Sequence, residues 1–322
     1  MESDFIFPFA PLRLCVSCIF FIVLFASCAT APKIPVQRDD VIPEMSLLPA
    51  GGRFYLWADT VIGRPLLDAL SLDLLDNRRV VQMLDSTGTA AAVVFAEGED
   101  RGFFLAATGK YPRRRANFSF ALFSRDLKRQ RGSGGNSYWF SRSNNFTLSM
   151  GSNLLLVSDA DPFGDFEREV QPPAFAEFHR GQVMAGWLNN PSETINSLLA
   201  TMGVPLNIPT EDFFFGAARL PASGSDAGGT GPWELAFRIR TPSASHARSL
   251  LSFFSVASIF VQRAPGEGSS FAGRDSISPQ EAASLLFSSM PQVDGEFLTL
   301  RIGSLDENSI ALLFNMFSVY SR

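Results

Sequence analysis

Apolar positions first gather in a run of about 12 residues that begins near Leu14 and closes at Leu24-Phe25-Ala26-Ser27-Cys28. That is short of the roughly 20 apolar residues a membrane-spanning helix needs, and it matches the core of an export signal. Between 29 and 50 the pattern lapses. Pro32, Pro35, Pro43 and Pro49 punctuate a stretch without sustained periodicity, which reads as an extended tether. Regular patterning starts near Gly51: residues 52–59 alternate as a strand, and 181–189 alternate as another.

Similar spacings follow each of these strands. Trp57 to Pro112 is 55 residues, and so is Trp187 to Pro242. Between those landmarks the first half predicts a helix over 65–75 and strands over 90–96 and 103–108. The second half predicts a helix over 192–202 and strands over 213–220 and 234–239, and a further helix starts beside each proline. The sequence therefore predicts a β-α-β-β-α unit used twice. Further strands are expected over 138–148, 154–158 and 296–302. A helix is expected behind the capping box of Ser278, Pro279 and Glu281, and a last one from Asp306 or Glu307 to residue 321.

Small side chains at Ala26 and Ser27 before Cys28 make this segment resemble the signal and lipid-attachment site of bacterial lipoproteins. With Leu24 four places before the cysteine, it is similar to the looser spirochaete type. The resemblance covers residues 14–28 only. It implies that 1–27 are removed, that Cys28 carries acyl chains and that the chain is exported and lipid-anchored. Ala29 after the cysteine favours the outer membrane, facing the periplasm. The opening Met1-Glu2-Ser3-Asp4 is acidic where a signal is usually basic, and Arg13 is the first positive charge. A start at Leu12 would restore the usual order.

Cys15 and Cys18 lie in the segment to be removed, so Cys28 is the one cysteine left, and it is taken by lipid. Disulfides and thiol metal sites are thereby excluded. Two histidines, His179 and His246, are too few for most imidazole sites, and no cofactor or metal is expected. The mature chain of about 295 residues keeps 26 basic and 30 acidic groups, a balance that does not point to nucleic acid. The stronger bias is 31 Phe against 4 Tyr and 4 Trp. So many side chains without a polar handle call for a thick core, a greasy cavity or a membrane.

Charge concentrates in one place. Lys110, Arg113, Arg114, Arg115, Arg125, Lys128, Arg129 and Arg131 face one acid, Asp126, and enclose an apolar, helix-length centre with Phe118, Phe120 and Phe123. Guanidinium groups around phenylalanines are the composition of a segment lying among lipid headgroups, and three arginines at a helix start call for an anion. The same composition also fits a core-packed helix with solvated ends. Residues 249–261 carry no charge and show a stripe of serines at 249, 252, 255 and 258, and 310–320 is nearly as apolar. Both are too short to span a bilayer, and enclosure by protein accounts for them equally well.

Asp159, Asp161, Asp165 and Glu167 imitate a calcium loop, but Phe163 and Val170 stand where oxygen ligands belong. No nucleophile elbow, phosphate loop or dinucleotide fingerprint occurs. The sequence thus predicts an α+β protein of two related units whose sheets, antiparallel or mixed, are covered by Phe-rich helices. The segments are 1–27 signal, 28–50 lipidated cysteine and tether, 51–170 first unit and 171–322 second unit. The expected function is non-catalytic: binding lipid or an apolar ligand, or contacting the membrane surface through Phe-rich amphipathic helices. Two alternatives remain open, a tethered module that docks a periplasmic protein or wall polymer and a hydrolase built from distant carboxylates.

Overall fold

The computed structural model describes residues 42–70, 84–95, 102–123, 126–143, 145–193, 196, 209–221, 231–263, 285 and 289–310. Cys28, Arg125 and the expected capping box of Ser278, Pro279 and Glu281 fall outside them. Contacts divide the chain into two compact units, Met1–Arg64 with Ser71–Glu177, and Pro65–Leu70 with Phe178–Arg322.

The first unit holds seven strands: β1 (Phe54–Asp59), β2 (Thr87–Val94), β3 (Phe103–Gly109), β4 (Leu127–Arg131), β5 (Ser137–Ser141), β6 (Phe146–Met150) and β7 (Leu154–Ser158). They lie in the order β1-β2-β3-β7-β6-β5-β4. The second unit holds β8 (Met184–Leu188), β9 (Asp212–Arg219), β10 (Trp233–Arg240), β11 (Gln292–Asp294) and β12 (Phe297–Leu305), in the order β11-β12-β10-β9-β8. Every pairing within each of these two sets is antiparallel. The described helices are α1 (Arg64–Leu70), α2 (Arg113–Phe123), α3 (Pro173–His179) and α4 (Ala244–Arg263).

This corrects the expected architecture of duplicated β-α-β-β-α units under Phe-rich helices. Among the described residues the protein is mostly antiparallel sheet, with twelve strands and few, mainly short helices. The reason lies in where the phenylalanines go. Phe103, Phe104, Phe146, Phe214 and Phe215 are buried within strands, where aromatic side chains pack well on a pleated surface. A phenylalanine load of this kind makes sheet core and leaves helices a smaller share of it.

Two local differences follow from turn chemistry and charge. Residues 138–148 form the hairpin β5–β6 instead of one strand, because the chain reverses near Asn145, whose φ of 49° is left-handed. Asp126 braces that reversal by accepting from the Ser143 N–H at 2.9 Å and from the Ser141 hydroxyl. The basic residues Lys128 to Arg131 sit in β4, which pairs with β5 and ends the unit's strand order. Charged side chains on such an edge discourage pairing with another chain.

One core cluster of the first unit lies between α2 and the strands it covers. Ala116 and Phe120 of α2 pack with Phe103, Trp139, Leu148 and Leu155, and the Phe120 and Trp139 rings meet edge-on at 5.6 Å. In the second unit α4 packs on β11 and β12, with Leu250 against Ile239 and Leu298. The serine stripe of α4 is satisfied locally: Ser249, Ser252 and Ser255 donate to carbonyls four residues back at 2.9–3.0 Å. No helix among the described residues is long and apolar enough to cross a membrane.

Residues 42–48, inside the stretch expected to be tether, are packed. Ile42, Met45 and Leu48 are buried. Alongside them Glu169 donates its N–H to the Leu48 carbonyl at 3.0 Å, and Gln171 Nε2 donates to the Ile42 carbonyl at 3.1 Å.

Candidate functional site

One end of the first unit's sheet gathers the candidate residues. Register fixes which loops meet there: Asp59 of β1 stands opposite Thr89 of β2, and Thr87 opposite Gly109 of β3. Thr108 of β3 in turn faces Leu154 of β7. The turn after β1, the start of β2, the β3–α2 connection and the β6–β7 hairpin therefore lie at one edge. Arg131 and the loop after it reach the same edge, since Arg131 pairs with Ser137 at the start of β5.

The β3–α2 connection is held firmly. Lys110 donates its N–H to the Ser86 carbonyl at 2.8 Å, and Tyr111 donates its own to the Ser152 carbonyl at 2.9 Å. The Tyr111 ring is buried and its hydroxyl lies 3.1 Å from Thr87 Oγ1. Burial pushes the Tyr111 phenol above the ordinary tyrosine range; the Thr87 hydrogen bond works against that rise and the Glu44 carboxylate adds to it. The phenol stays neutral and acts as an anchor.

From this anchor Arg113, Arg114 and Arg115 open α2, all three exposed, with no salt bridge to a described carboxylate. Phe118 is 63% exposed while Phe120 is fully buried. Helical spacing places Phe118 three and four residues on from Arg115 and Arg114, so a ring and two guanidinium groups share one solvent-facing stripe. Lys110 is exposed beside it. Lys128 and Arg129 are exposed on β4, off that stripe, and the Phe123 side chain lies outside the description.

A pair of residues that the sequence did not single out joins them. Val61 and Ile62 are 61% and 49% exposed in the turn after β1. Asp59 Oδ1 accepts from both of their N–H groups at 2.9 Å, and Thr60 Oγ1 donates to the Thr87 carbonyl at 2.7 Å. The turn is thereby fixed with its apolar tips outward. The signal was legible as two apolar residues between Asp59-Thr60 and Gly63, a turn composition that has no core to serve.

The incoming chain is fastened at this end too. Glu44 is buried, and its Oε1 accepts from Thr89 Oγ1 at 2.6 Å and Thr108 Oγ1 at 2.9 Å.

A groove of about 400 Å³ runs beside α2, lined by β4, β5 and their connecting loop together with residues of β6 and β7 and Phe163. Its exposed or half-buried members include Arg113, Asn117, Arg129 and Ser137, and its buried ones Trp139, Met150 and Leu156. Trp139 Nε1 donates to Asn117 Oδ1 at 2.8 Å, and Arg129 Nη2 donates to Ser137 Oγ at 2.9 Å. Of the acidic residues of 159–167, two serve the backbone: Asp161 accepts from the Ser133 and Phe163 N–H groups at 3.0 and 2.9 Å, and Asp159 from Gly102. No group of three or more potential metal ligands occurs among the described residues.

No protein-family model matches the chain, and no curated protein is significantly similar to it. Its fold is shared with solved structures of TP0453. Crystal form III aligns with a TM-score of 0.54 at 14% identity, over 86% of this chain and all of that one. Crystal form IV gives 0.51 at 15%, over 87% and 96%, and crystal form I gives 0.52 at 14%, over 86% and 98%. At such identity the likeness establishes the architecture alone.

Proposed function

We propose that this is an exported, lipid-anchored, non-catalytic protein of the cell envelope whose first unit contacts an anionic membrane surface through the sheet end that carries Val61, Ile62, Lys110, Arg113, Arg114, Arg115 and Phe118. The observation that carries the reading is the exposed Phe118 beside three arginines that no described carboxylate neutralises. Cations of this kind are each worth about 1 kcal/mol near an anionic surface, and a ring between them can sink below the headgroups. In the sequence reading membrane contact came through Phe-rich helices generally; here it narrows to one stripe of α2 and one turn.

The attachment of the chain supports the same orientation. Glu44 ties the entering segment to Thr89 and Thr108, two residues before Lys110. Cys28 is fourteen residues before Ile42, so an acyl group on Cys28 lies within about 50 Å of that point. The entering segment and the basic stripe thus meet at one end of the unit.

Co-sedimentation of residues 29–322 with neutral and anionic vesicles over a salt series tests the reading. The expected result is binding to anionic vesicles that weakens with salt and is lost in the triple variant Arg113→Ser, Arg114→Ser, Arg115→Ser. Equal binding by that variant would overturn it.

A further inference from the structure

The groove beside α2 differs in kind from the exposed stripe. Of the residues that line it, none is Asp or Glu, and two are arginines from separate elements, Arg113 and Arg129. Elsewhere in the molecule Arg64, Arg219, Arg240 and Arg301 each meet a carboxylate within 2.9 Å. Arg113 and Arg129 meet none among the described residues.

The polar groups between them are turned toward donation. Asn117 uses its oxygen to accept from Trp139, which leaves its NH₂ group to donate. Ser137 Oγ accepts from Arg129, which leaves its own hydrogen free for another acceptor. Asp161, close by, is engaged with the Ser133 and Phe163 backbone amides, and it holds the wall formed by the 132–135 loop. Gly134 and Gly135 in that loop have φ of 69° and 79°, conformations that glycine adopts without strain. The result is a braced, donor-rich concavity with Trp139 beneath it.

We propose that this groove binds a phosphate group carried on a small polar alcohol, clamped by Arg113 and Arg129. Guanidinium forks match phosphate oxygens in geometry and charge. A volume of about 400 Å³ sits at the small end of ligand pockets, enough for a glycerol phosphate moiety and too little for two acyl chains. Either a phospholipid headgroup or a free phosphorylated solute supplies this chemistry. The inference deepens the membrane reading by giving it a headgroup site, and it stands or falls separately.

The test uses residues 29–322 with two probes, sn-glycerol 3-phosphate and short-chain dihexanoyl phosphatidylglycerol, titrated by calorimetry and by Trp fluorescence. Arg113→Gln and Arg129→Gln are each expected to weaken binding about tenfold or more. Arg131→Gln, which removes the same charge from the same strand outside the groove, is expected to leave it nearly unchanged. Tighter binding of the short-chain lipid identifies a headgroup as the source, and equal binding of both probes identifies the free solute. Absence of binding by either probe, or equal weakening by Arg131→Gln, overturns the proposal. Vesicle sedimentation by the unaltered chain separates the two ideas: sedimentation with no probe binding sinks the groove alone, whereas probe binding without sedimentation sinks the membrane contact alone.

Discussion

Glu44 accepts a hydrogen bond from Thr108 at 2.9 Å, joining the turn at 42–48 to the end of β3. Thr89 donates to the same oxygen, and the two threonine hydroxyls are 2.6 Å apart. Removing the carboxylate takes away the acceptor that two half-buried hydroxyls share, which costs about 1–3 kcal/mol. Glu44→Ala is therefore expected to lower the urea midpoint of the mature chain and to expose residues 42–50 to protease. An unchanged midpoint and digestion pattern would show that the entering segment is held by Ile42, Met45 and Leu48 alone.

Phe118 and Phe120 stand two residues apart with opposite fates, 63% exposed and fully buried. Phe120→Ala removes a ring packed on Trp139 and is expected to cost about 3–5 kcal/mol of stability. Phe118→Ser is expected to change stability by less than about 0.5 kcal/mol and to weaken vesicle binding. Denaturant titration and sedimentation of the two variants check both halves of that contrast.

Charge at the start of α2 sets the salt dependence. With about 1 kcal/mol for each cation near an anionic surface, replacing Arg113, Arg114 and Arg115 together is expected to weaken binding to anionic vesicles by about two orders of magnitude at low salt. The gap should narrow as salt rises, because the Debye length falls to about 8 Å at physiological ionic strength. A salt-independent difference would point to damaged folding.

The second unit carries its own pH response. Glu307 Oε1 accepts from Trp233 Nε1 and Arg219 Nη2, both at 2.9 Å. Burial works to raise the Glu307 carboxyl, but the Trp233 donor, its own backbone N–H and the Arg219 guanidinium outweigh it and hold the group below the usual carboxylate range. A depressed folded pKa contributes stability above the unfolded value, which is lost as pH falls through the folded one. Wild type is expected to lose this increment on acidification below about pH 4.5, and Glu307→Gln to lack it at every pH. Urea midpoints of the two proteins between pH 7 and pH 3 check this.

Much of the strand content was legible because alternation survives in one sequence. Expected strands over 103–108, 213–220 and 234–239 appear as Phe103–Gly109, Asp212–Arg219 and Trp233–Arg240. Helix α2 was legible from its apolar centre. What misled was the step from element order to architecture, since spacing between landmarks does not say which strands pair. β4 was hidden because four of its five residues are polar and exposed, so its period of two has no apolar beat. The groove was hidden for a different reason: Arg113 and Arg129 are sixteen residues apart, and only the return of β4 along α2 brings them to one cavity. Val61 and Ile62 were not singled out, because two apolar residues carry no periodicity; the turn held by Asp59 is what faces them outward.

An environment-sensitive fluorophore at the centre of the stripe tests the membrane contact most directly. In a Cys28→Ser background, single cysteines replacing Phe118, Val61 and, as a control remote from the stripe in sequence, Met290 would each carry bimane, and emission would be read as anionic vesicles are added. A blue shift and lipid-quencher access are expected at 118 and 61, suppressed by high salt, with none at 290. Unchanged emission at 118 and 61, or the same shift at 290, would contradict that contact.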